Sequence, residues 1–363
     1  MNILVFSVSI GHGHNQVARA LETELKERSH TVQVIDALEF VSPFFSKVIL
    51  ESYLRMLRFT PSIYSRLYEL VEEPALFDFT SVINNLLSSG FKKLVVQFKP
   101  DAIICTHPFP TGLLSALKTK LDVKIPLVAV MTDYAIHYLS IHPAVDLYIT
   151  ASPKLNYHHK FNSISEGKVA PTGIPIRKKF AKPPSKSIAQ KSLGLVNLPT
   201  ILIMGGGLGM GTPPELIRVV DHYLKQCQIL IVAGKNESLY NELKSSKFNN
   251  TVHVFGYVDN VEVQMAAADL LVTKPGGVTT SEALSLGLPM AIISPIPGQE
   301  WRNSAFLVEQ LVAVQFEVAT LAPKLADLLN DSLRLECMSK LAKQLAKPNS
   351  THDAGELLEG FLK

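Results

Sequence analysis

The sequence predicts the α/β fold class, with two Rossmann-like domains facing each other across a cleft. Apolar runs rich in β-branched residues alternate with helix-length segments from the start of the chain, which is typical of βαβ units around a parallel sheet. The alternation restarts in the second half of the chain. Each half also places a glycine-rich turn directly after a strand-like run, at residues 11–14 and 205–211.

The first domain is predicted over residues 1–178. Its strands are expected at 2–8, 31–36, 101–106 and 125–132, with helices at 15–28 and 111–120. The stretch that follows carries several Lys and Arg residues without an acid and contains Pro183-Pro184. This composition predicts an interdomain linker over residues 179–191.

The second domain is predicted over residues 192–345. Its strands are expected at 200–204, 228–233, 252–255, 270–273 and 289–293, each followed by a helix-like stretch. Residues 346–363 predict a C-terminal helix. Packing of this helix back on the first domain is one of the arrangements that the sequence leaves open.

Composition excludes several classes of protein. The 363 residues include 35 Lys and Arg against 32 Asp and Glu, a net charge of +3, so no nucleic-acid partner is expected. The 3 cysteines form no C-x-x-C pair, which argues against a disulfide scaffold and fits a reducing compartment. No apolar run approaches the roughly 18 residues of a membrane-spanning helix, and the N-terminus lacks the basic segment of a signal peptide. We therefore expect a cytoplasmic protein.

The first glycine-rich turn introduces a candidate catalytic base, His14. The turn follows a strand and opens a helix, so its backbone amides can attract a phosphate or a developing oxyanion. A neutral imidazole at the positive end of a helix has a lowered pKa and can accept a proton from a hydroxyl at neutral pH. The alternative is that His14 only caps the helix and packs on the sheet.

Two features admit a dinucleotide-binding interpretation. Asp36 ends the second predicted strand, where an acid can hold the ribose of NAD, and residues 205–211 contain a formal G-x-G-x-x-G match. However, the first turn does not fit that pattern, and the strand after the second turn ends without an acid. An NAD(P)-dependent oxidoreductase therefore remains a distant alternative.

The most specific signal is the stretch 273–284 together with the loop 297–303. A strand ends near Lys274, two glycines turn the chain, and a helix begins near Thr279, which leaves free amides for a diphosphate. Glu282 lies in the first turn of that helix, where its carboxylate can accept hydrogen bonds from the hydroxyls of a ribose. The next loop supplies Gln299 and Glu300, whose short polar side chains can bind sugar hydroxyls.

These motifs resemble the diacylglycerol glycosyltransferase family, which includes monogalactosyldiacylglycerol synthases, processive diacylglycerol glucosyltransferases and, more distantly, the lipid II-forming N-acetylglucosaminyltransferase. The resemblance covers nearly the whole chain. Its motifs are SIGHGHNQVARAL at the start, MTDYAIH at 131–137, PTGIPIR at 171–177, VAGKN at 232–236, FGYVDNV at 255–261, TKPGG and PGQE. The resemblance implies a GT-B fold, a UDP-hexose donor and an inverting transfer to a lipid hydroxyl.

The family's functional residues carry over to matching positions. Uracil would lie against Gly256, Tyr257 and Val258, the diphosphate at Gly206, Gly207, Gly276, Gly277 and Thr279, the ribose on Glu282, and the hexose on Gln299 and Glu300, with Asn236 and Asn303 as weaker donor contacts. His14 would be the base or lie beside it, and Asp133 or His137 would orient or replace it.

The resemblance also bears on cofactors. Helix N-termini can stabilise a departing diphosphate without a metal, and the sequence has no D-x-D motif to hold Mn²⁺ or Mg²⁺. We therefore expect metal-independent transfer with no cofactor, UDP-hexose being a substrate.

The segment 40–73 mixes aromatic and basic residues, which is typical of a helix lying on a membrane surface. Taken alone, it is equally an ordinary helical pair packed on the first domain. The resemblance favours the membrane function, because the acceptor would come from the bilayer. The candidate acceptor and membrane residues are Phe44, Phe45, Tyr53, Arg55, Arg58 and Phe59.

The sequence therefore predicts a peripheral enzyme on the cytoplasmic face of the cell membrane, bound to an anionic lipid surface. It would move glucose, or less favoured galactose, from UDP to the 3-hydroxyl of diacylglycerol, and repeated transfer to its own product is left open. The alternatives are a UDP-sugar transferase for another lipid and a non-catalytic nucleotide-sugar-binding protein of the membrane surface. The oligomeric state is not predicted.

Overall fold

The computed structural model describes residues 1–9, 13–41, 85–136, 140–155, 164–207, 209, 213–293, 295–296 and 298–362. The chain divides into two units. The first comprises Met1–Arg177, Ile296–Gln299 and Asn349–Lys363, and the second comprises Lys178–Pro295 and Glu300–Pro348. Neither unit is one continuous stretch of sequence.

Six parallel strands form the sheet of the first unit. They are β1 (Asn2–Ser7), β2 (Thr31–Asp36), β3 (Ala102–Cys105), β4 (Leu127–Val130), β5 (Leu147–Ile149) and β6 (Val169–Ala170). Their order is β2-β1-β3-β4-β5-β6, so the direction of sheet growth reverses at β1. In such sheets ligands bind at the carboxyl ends of the strands beside this reversal. The four predicted strands are confirmed, whereas the two short strands β5 and β6 were not predicted.

The helices of the first unit cover the sheet. They are α1 (Gly13–Glu27), α2 (Ala37–Val41), α3 (Asn85–Phe98), α4 (Pro108–Leu121) and, from the end of the chain, Ser350–Phe361. α1 places Leu21 and Leu25 in the core, where both are fully buried. The inner strands β3 and β4 are apolar and buried along their whole length because both faces of the sheet are covered there, whereas β2 has exposed polar residues.

The second unit is built in the same way. Its strands are β7 (Thr200–Met204), β8 (Gln228–Val232), β9 (Thr251–Phe255), β10 (Leu270–Thr273), β11 (Met290–Ile293) and β12 (Ala313–Phe316), all parallel. The order β12-β11-β10-β7-β8-β9 puts the reversal at β7. The glycine-rich turn 205–211 follows β7, just as the turn 11–14 follows β1. The described residues Gly206 and Gly207 therefore stand at the ligand-binding edge of the second sheet, and Gly13 and His14 stand at that edge of the first.

The helices of the second unit follow its strands. They are α5 (Lys186–Ser192), α6 (Pro214–Tyr223), α7 (Glu237–Ser245), α8 (Val261–Ala267), α9 (Gly277–Leu286), α10 (Gln299–Glu309), α11 (Leu321–Asn330) and α12 (Ser332–Leu345). α9 ends at Gly287, whose φ of 66° lies in the left-handed region that glycine adopts without steric cost.

The predicted linker 179–191 is an ordered part of the second unit. α5 packs on α8, and the apolar side chains of Phe180 and Ala189 are fully buried. Lys179 lies 3.5 Å from the carboxylate of Glu262, and Lys186 pairs with Asp269. The basic composition of this stretch reflects such contacts at the surface of the unit.

The C-terminal helix, α13 (Ser350–Phe361), belongs to the first unit and packs on α1. Its first residue donates a hydrogen bond from the Ser350 hydroxyl to the Ile174 carbonyl at 2.8 Å. Near its end, Glu359 accepts a hydrogen bond from Arg28 Nη1 at 3.0 Å, while Arg28 Nε donates to Glu24 at 2.6 Å. The last turns of the chain therefore complete the first unit.

In the described ranges, no helix is long and apolar enough to cross a membrane. The predicted membrane segment falls largely within residues 42–84, which lie outside the described residues. Its candidate contacts Phe44, Phe45, Tyr53, Arg55, Arg58 and Phe59 therefore stay predictions.

Candidate functional site

A buried polar cluster lies at the carboxyl edge of the first sheet, around His14. Because His14 is in the first turn of α1, directly after β1, its ring reaches the residues that follow β3 and β4. His14 Nδ1 lies 2.8 Å from the carbonyl oxygen of Thr106 and 3.0 Å from the hydroxyl of Thr132. Three chain segments that are distant in sequence thus hold one imidazole.

These contacts determine which nitrogen of His14 carries the proton. A backbone carbonyl can only accept a hydrogen bond, so Nδ1 must donate, and Nε2 keeps the lone pair that accepts a proton. Burial lowers the pKa of His14, and the opposing effects of the Asp133 charge and the Thr106 hydrogen bond are smaller. The ring is therefore neutral at neutral pH, as a general base for a hydroxyl must be.

A second histidine packs on the first. The rings of His14 and His107 are 4.4 Å apart between centroids and meet edge to face. Burial, reinforced by His14, lowers the pKa of His107 well below its ordinary value, and His107 Nδ1 accepts a hydrogen bond from Phe109 N at 3.0 Å. His107 thus caps α4 as a neutral ring. Neither His107 nor the two threonines were predicted as site residues, although each lies one or two residues after a strand.

Asp36 has a structural role at this edge. One carboxylate oxygen accepts from Ser9 N at 2.9 Å, and the other accepts from Leu38 N at 2.9 Å and Glu39 N at 3.2 Å. Asp36 therefore caps α2 and secures the strand end after β1. Since these amides engage both carboxylate oxygens, the geometry does not favour Asp36 as the ribose acid of a dinucleotide site.

At the carboxyl edge of the second sheet, two glycine loops interlock. Gly206 and Gly234 have φ values of 71° and 59°, and a Cβ atom on Gly234 would lie 2.7 Å from the Gly207 carbonyl oxygen. The same carbonyl accepts a hydrogen bond from Lys235 N at 3.1 Å. Only glycine allows this approach, which presents the backbone of Gly206 and Gly207 at the end of β7.

Asn236 has two intramolecular hydrogen bonds. Its Oδ1 accepts from Leu239 N at 3.1 Å as the N-cap of α7, and its Nδ2 donates to the Gly209 carbonyl at 3.3 Å. Asn236 was predicted as a donor contact. In the structure its Oδ1 caps α7 and its Nδ2 holds the loop at Gly209, and its contact with the donor stays a prediction.

The start of α9 supplies amides for an anion. Its N-cap, Gly276, offers no side-chain hydrogen bond to the amides of the first turn, which include those of Gly277 and Thr279. Such amides and the positive end of the helix dipole suit a diphosphate. Glu282 follows in the same helix and is 3% exposed. The four residues predicted for diphosphate and ribose on this helix therefore share one region.

The loop after β11 places Gln299 and Glu300 in the first turn of α10, both half-buried. Asn303, one turn further along, is fully buried and donates a hydrogen bond from Nδ2 to the Pro275 carbonyl at 3.0 Å. This hydrogen bond fixes the loop that precedes α9, and the role of Asn303 as a donor contact stays a prediction.

The residues predicted for uracil follow β9 directly. Gly256 and Val258 are half-buried, whereas Tyr257 is 47% exposed. Lys235 Nζ lies 5.7 Å from the centre of the Tyr257 ring, within the range of a cation–π contact. The end of β9 and the loop after β8 therefore meet beside the predicted base pocket.

Two predictions about this site, the role of His137 and transfer without a metal, stay predictions. His137 lies outside the described residues, so its place beside His14 stays a prediction. No group of three or more His, Cys, Asp and Glu side chains suited to a metal occurs in the part of the chain that the structure describes.

Two Rossmann-like units, each with a six-stranded parallel sheet whose strand order reverses at its first strand, are the architecture of the GT-B fold. The crystal structure of Acinetobacter baumannii MurG has the same fold, with a TM-score of 0.66 at 18% identity over 99% of both chains. The UDP-glucose complex of Anabaena Alr3699/HepE matches with a TM-score of 0.58 at 14% identity, over 99% of both chains. The predicted fold is confirmed.

The chain belongs to the diacylglycerol glycosyltransferase family. Residues 14–176 match the monogalactosyldiacylglycerol (MGDG) synthase family, and residues 200–354 match the glycosyltransferase family 28 C-terminal domain. The processive diacylglycerol beta-glucosyltransferase of Bacillus cereus strain G9842 is 30% identical over 366 aligned residues, which cover 99% of this chain and 93% of the relative. The resemblance inferred from the motifs is confirmed.

Proposed function

We propose that this protein transfers glucose from UDP-glucose to the 3-hydroxyl of 1,2-diacylglycerol, with inversion at the anomeric carbon. The support is of two kinds. The chain is related over nearly its full length to a processive diacylglycerol beta-glucosyltransferase. It also holds a neutral histidine in the geometry of a base at the ligand-binding edge of the first sheet.

The observation that carries the proposal is the contact of His14 Nδ1 with the Thr106 carbonyl. This contact fixes the tautomer and so leaves Nε2 as the proton acceptor. The reaction then needs one proton transfer and one displacement. Nε2 takes the proton of the acceptor hydroxyl as its oxygen attacks C1 of the sugar, a C–O bond forms, and the bond from C1 to the UDP oxygen breaks with its electron pair leaving on UDP.

Asp133 acts on this base from the adjacent strand end. Its negative charge raises the pKa of His14, so it favours the imidazolium that forms during transfer. We assign Asp133 the role of orienting and stabilising His14. His137, four residues further along the chain and outside the described residues, is the alternative proposed for the same role.

The charge that develops on the leaving diphosphate is met by backbone amides. Those of Gly277 and Thr279 at the start of α9, with the glycine backbone after β7, supply hydrogen-bond donors and a favourable dipole. Glu282 binds the ribose, Gln299 and Glu300 bind the hexose, and Gly256 to Val258 bind uracil. None of these steps needs a metal ion, and we propose metal-independent transfer without a cofactor.

Galactose is the second candidate sugar. The observation in its favour is the match of residues 14–176 to the MGDG synthase family. Glucose is preferred because the full-length relative is named a glucosyltransferase. That relative is also named processive, so we propose that this chain can add a further glucose to its own product.

The place of action proposed is the cytoplasmic face of the cell membrane, with the protein bound peripherally to anionic lipid. A diacylglycerol acceptor stays in the bilayer, so the enzyme has to reach it there. The aromatic and basic residues of the segment 40–73 are the proposed contacts, because such side chains combine apolar insertion with attraction to anionic headgroups.

The test is a product assay with diacylglycerol in mixed micelles. UDP-glucose and UDP-galactose are offered separately, with EDTA present, and products are identified by mass spectrometry. We expect a monoglucosyl product, followed by a ladder of masses that differ by one hexose. A product from UDP-galactose alone would reassign the sugar, and activity lost in EDTA but restored by Mg²⁺ would refute metal independence.

The same assay separates catalysis from mere binding. If neither sugar is transferred while UDP still binds, the acceptor is not diacylglycerol, or the protein is a nucleotide-sugar-binding protein of the membrane surface. Transfer to another lipid in the same micelles would decide between these two alternatives.

A further inference from the structure

α10 carries apolar residues on two opposite sides. One side faces the core, where Phe306 is 7% exposed and Leu307 is fully buried. The other side faces outward and begins with Trp301, which is 61% exposed. Ala305 is exposed and Val308 is half-buried on the same side, because residues four and seven positions along a helix return to one face.

Leu311 extends this outward surface just beyond the helix. Its side chain is 65% exposed. We call Trp301, Ala305, Val308 and Leu311 the Trp301 face. Because Trp301 and Leu311 stay largely exposed, burial against the described residues does not account for these two residue types.

The backbone conformation at Leu311 is a second, independent indication that this leucine is not explained by the fold. Its φ is 57°, and the hydrogen bonds from Leu311 N to the Val308 carbonyl at 2.9 Å and from Val312 N to the Leu307 carbonyl at 3.2 Å close the end of α10. Glycine or asparagine is favoured at such a position, and Gly287 occupies the matching position after α9. A leucine here is unfavourable for the backbone and gains little burial in return.

We propose that the Trp301 face is a bilayer contact carried by the second unit. The inference rests on the proposed function, in which the acceptor is a lipid. Indole rings favour the interface between headgroups and acyl chains, since the ring is apolar and its N–H can hydrogen bond. Trp301 also directly follows Glu300, a proposed hexose contact, so the contact would hold the donor sugar close to the surface that supplies the acceptor.

The size of the face favours a membrane over a protein partner. A stable protein interface buries about 800 Å² on each partner, which exceeds what four side chains of this face can offer. Interfacial binding to a bilayer, in contrast, needs only a few inserted apolar groups. The flanking charges are mixed, with Arg302 on one side and Glu309 on the same outward surface, so insertion of apolar groups and not charge is the main contribution expected.

The fluorescence of Trp301 reports directly on this face, because Trp301 is the single tryptophan of the chain. The full-length protein is titrated with vesicles of phosphatidylcholine containing some phosphatidylglycerol, and tryptophan emission is recorded. We expect a blue shift, and quenching when the acyl chains are brominated near the headgroup. Unchanged emission while the protein sediments with the vesicles would overturn the proposal, since another surface would then make the contact.

A second outcome would also overturn it. If the emission shifts with protein concentration in the absence of vesicles, and the shift parallels dimer formation in sedimentation, a second copy of the chain covers the Trp301 face. Emission that depends on vesicles alone supports the bilayer contact.

The matched variants are Leu311→Gly and Leu333→Ser. Leu333 is 75% exposed on α12 and serves as the control. We expect Leu311→Gly to weaken vesicle binding about tenfold, the loss expected when one leucine is no longer buried. Its thermal stability should stay equal or rise, because glycine suits the backbone at this position. Equal vesicle binding of both variants and the parent protein would refute the role of Leu311.

Transfer assays separate this inference from the proposed function. Leu311→Gly should lose transfer on vesicles but keep it in detergent micelles, where no bilayer has to be reached. If the parent protein transfers no sugar in either medium but its emission still responds to vesicles, the proposed function fails and the bilayer contact stands. If the parent protein transfers sugar normally but its tryptophan emission does not respond to vesicles, the bilayer contact fails and the proposed function stands.

Discussion

His14 offers the sharpest test of the mechanism. Its replacement by alanine removes the proton acceptor while leaving the donor-binding loops of the second unit unchanged. Loss of a general base lowers turnover by roughly 10²–10⁴, which corresponds to roughly 3–5 kcal/mol in the activation barrier. We expect a loss in this range for His14→Ala, with UDP affinity preserved.

The surroundings of His14 also define the pH dependence. Burial lowers the pKa of His14 from its ordinary value of 6.5. The neutral ring is the active form, so turnover should not depend on this group above pH 6.5 and should decline only as the pH falls below it. In His14→Ala this acid limb should disappear from the profile of the residual activity.

The assay measures initial rates of glycolipid formation in mixed micelles across a range of pH, and UDP binding is measured by calorimetry. His222→Ala is the control, because His222 is exposed on α6 and far from the proposed base in sequence. Unchanged turnover in His14→Ala would remove the base assignment. A wild-type acid limb centred above pH 6.5 would contradict the lowered pKa.

Three further predictions concern positioning and donor binding. Thr132→Val should lower turnover roughly fivefold, since one neutral hydrogen bond to His14 contributes about 1 kcal/mol. Thr132→Ser keeps the hydroxyl and should retain the turnover of the parent protein, so equal rates for the two variants would contradict the role of the hydroxyl. Glu282→Ala should raise the donor KM about 10-fold to 100-fold, the loss expected for hydrogen bonds to a charged group, and an unchanged KM in steady-state kinetics would show that the ribose is held elsewhere. Gly234→Ala should destabilise the fold by at least about 1–2 kcal/mol because of the positive φ of Gly234, and we expect a lower melting temperature together with weaker UDP binding. Gly194→Ala is the control for the backbone effect alone, because Gly194 has a similarly positive φ but a Cβ there has open space.

The long strands could be predicted from the sequence because each is a buried apolar run between turn residues. β5, β6 and β12 could not be predicted. β5 and β6 have only three and two residues, and β12 is an edge strand with exposed positions, so none of them gives a strong apolar pattern. The prediction of a linker missed the packing of this stretch on the second unit for a related reason. Basic composition describes the outer surface of α5 and does not reveal that Phe180 and Ala189 are buried beneath it.

The candidate site shows the same limit. His14 and the glycine loops have local motifs and were predicted, whereas Thr106 and Thr132 became part of the site only through the pairing of β1, β3 and β4. A usable signal was present, because both threonines lie within two residues after a strand at the ligand-binding edge. Asn303 could have been assigned to the core, since it precedes Leu307 by one helical turn and so shares its buried face.

The way the chain passes between the units has a consequence for dividing the protein. A fragment that ends at Arg177 would lack α13, and with it the hydrogen bonds to the Ile174 carbonyl and to Arg28. The buried carboxylate of Glu24 and the apolar surface of α1 would then face water. The first half is therefore not an independent domain, and it should regain its native stability only when a peptide of residues 349–363 is added back in trans.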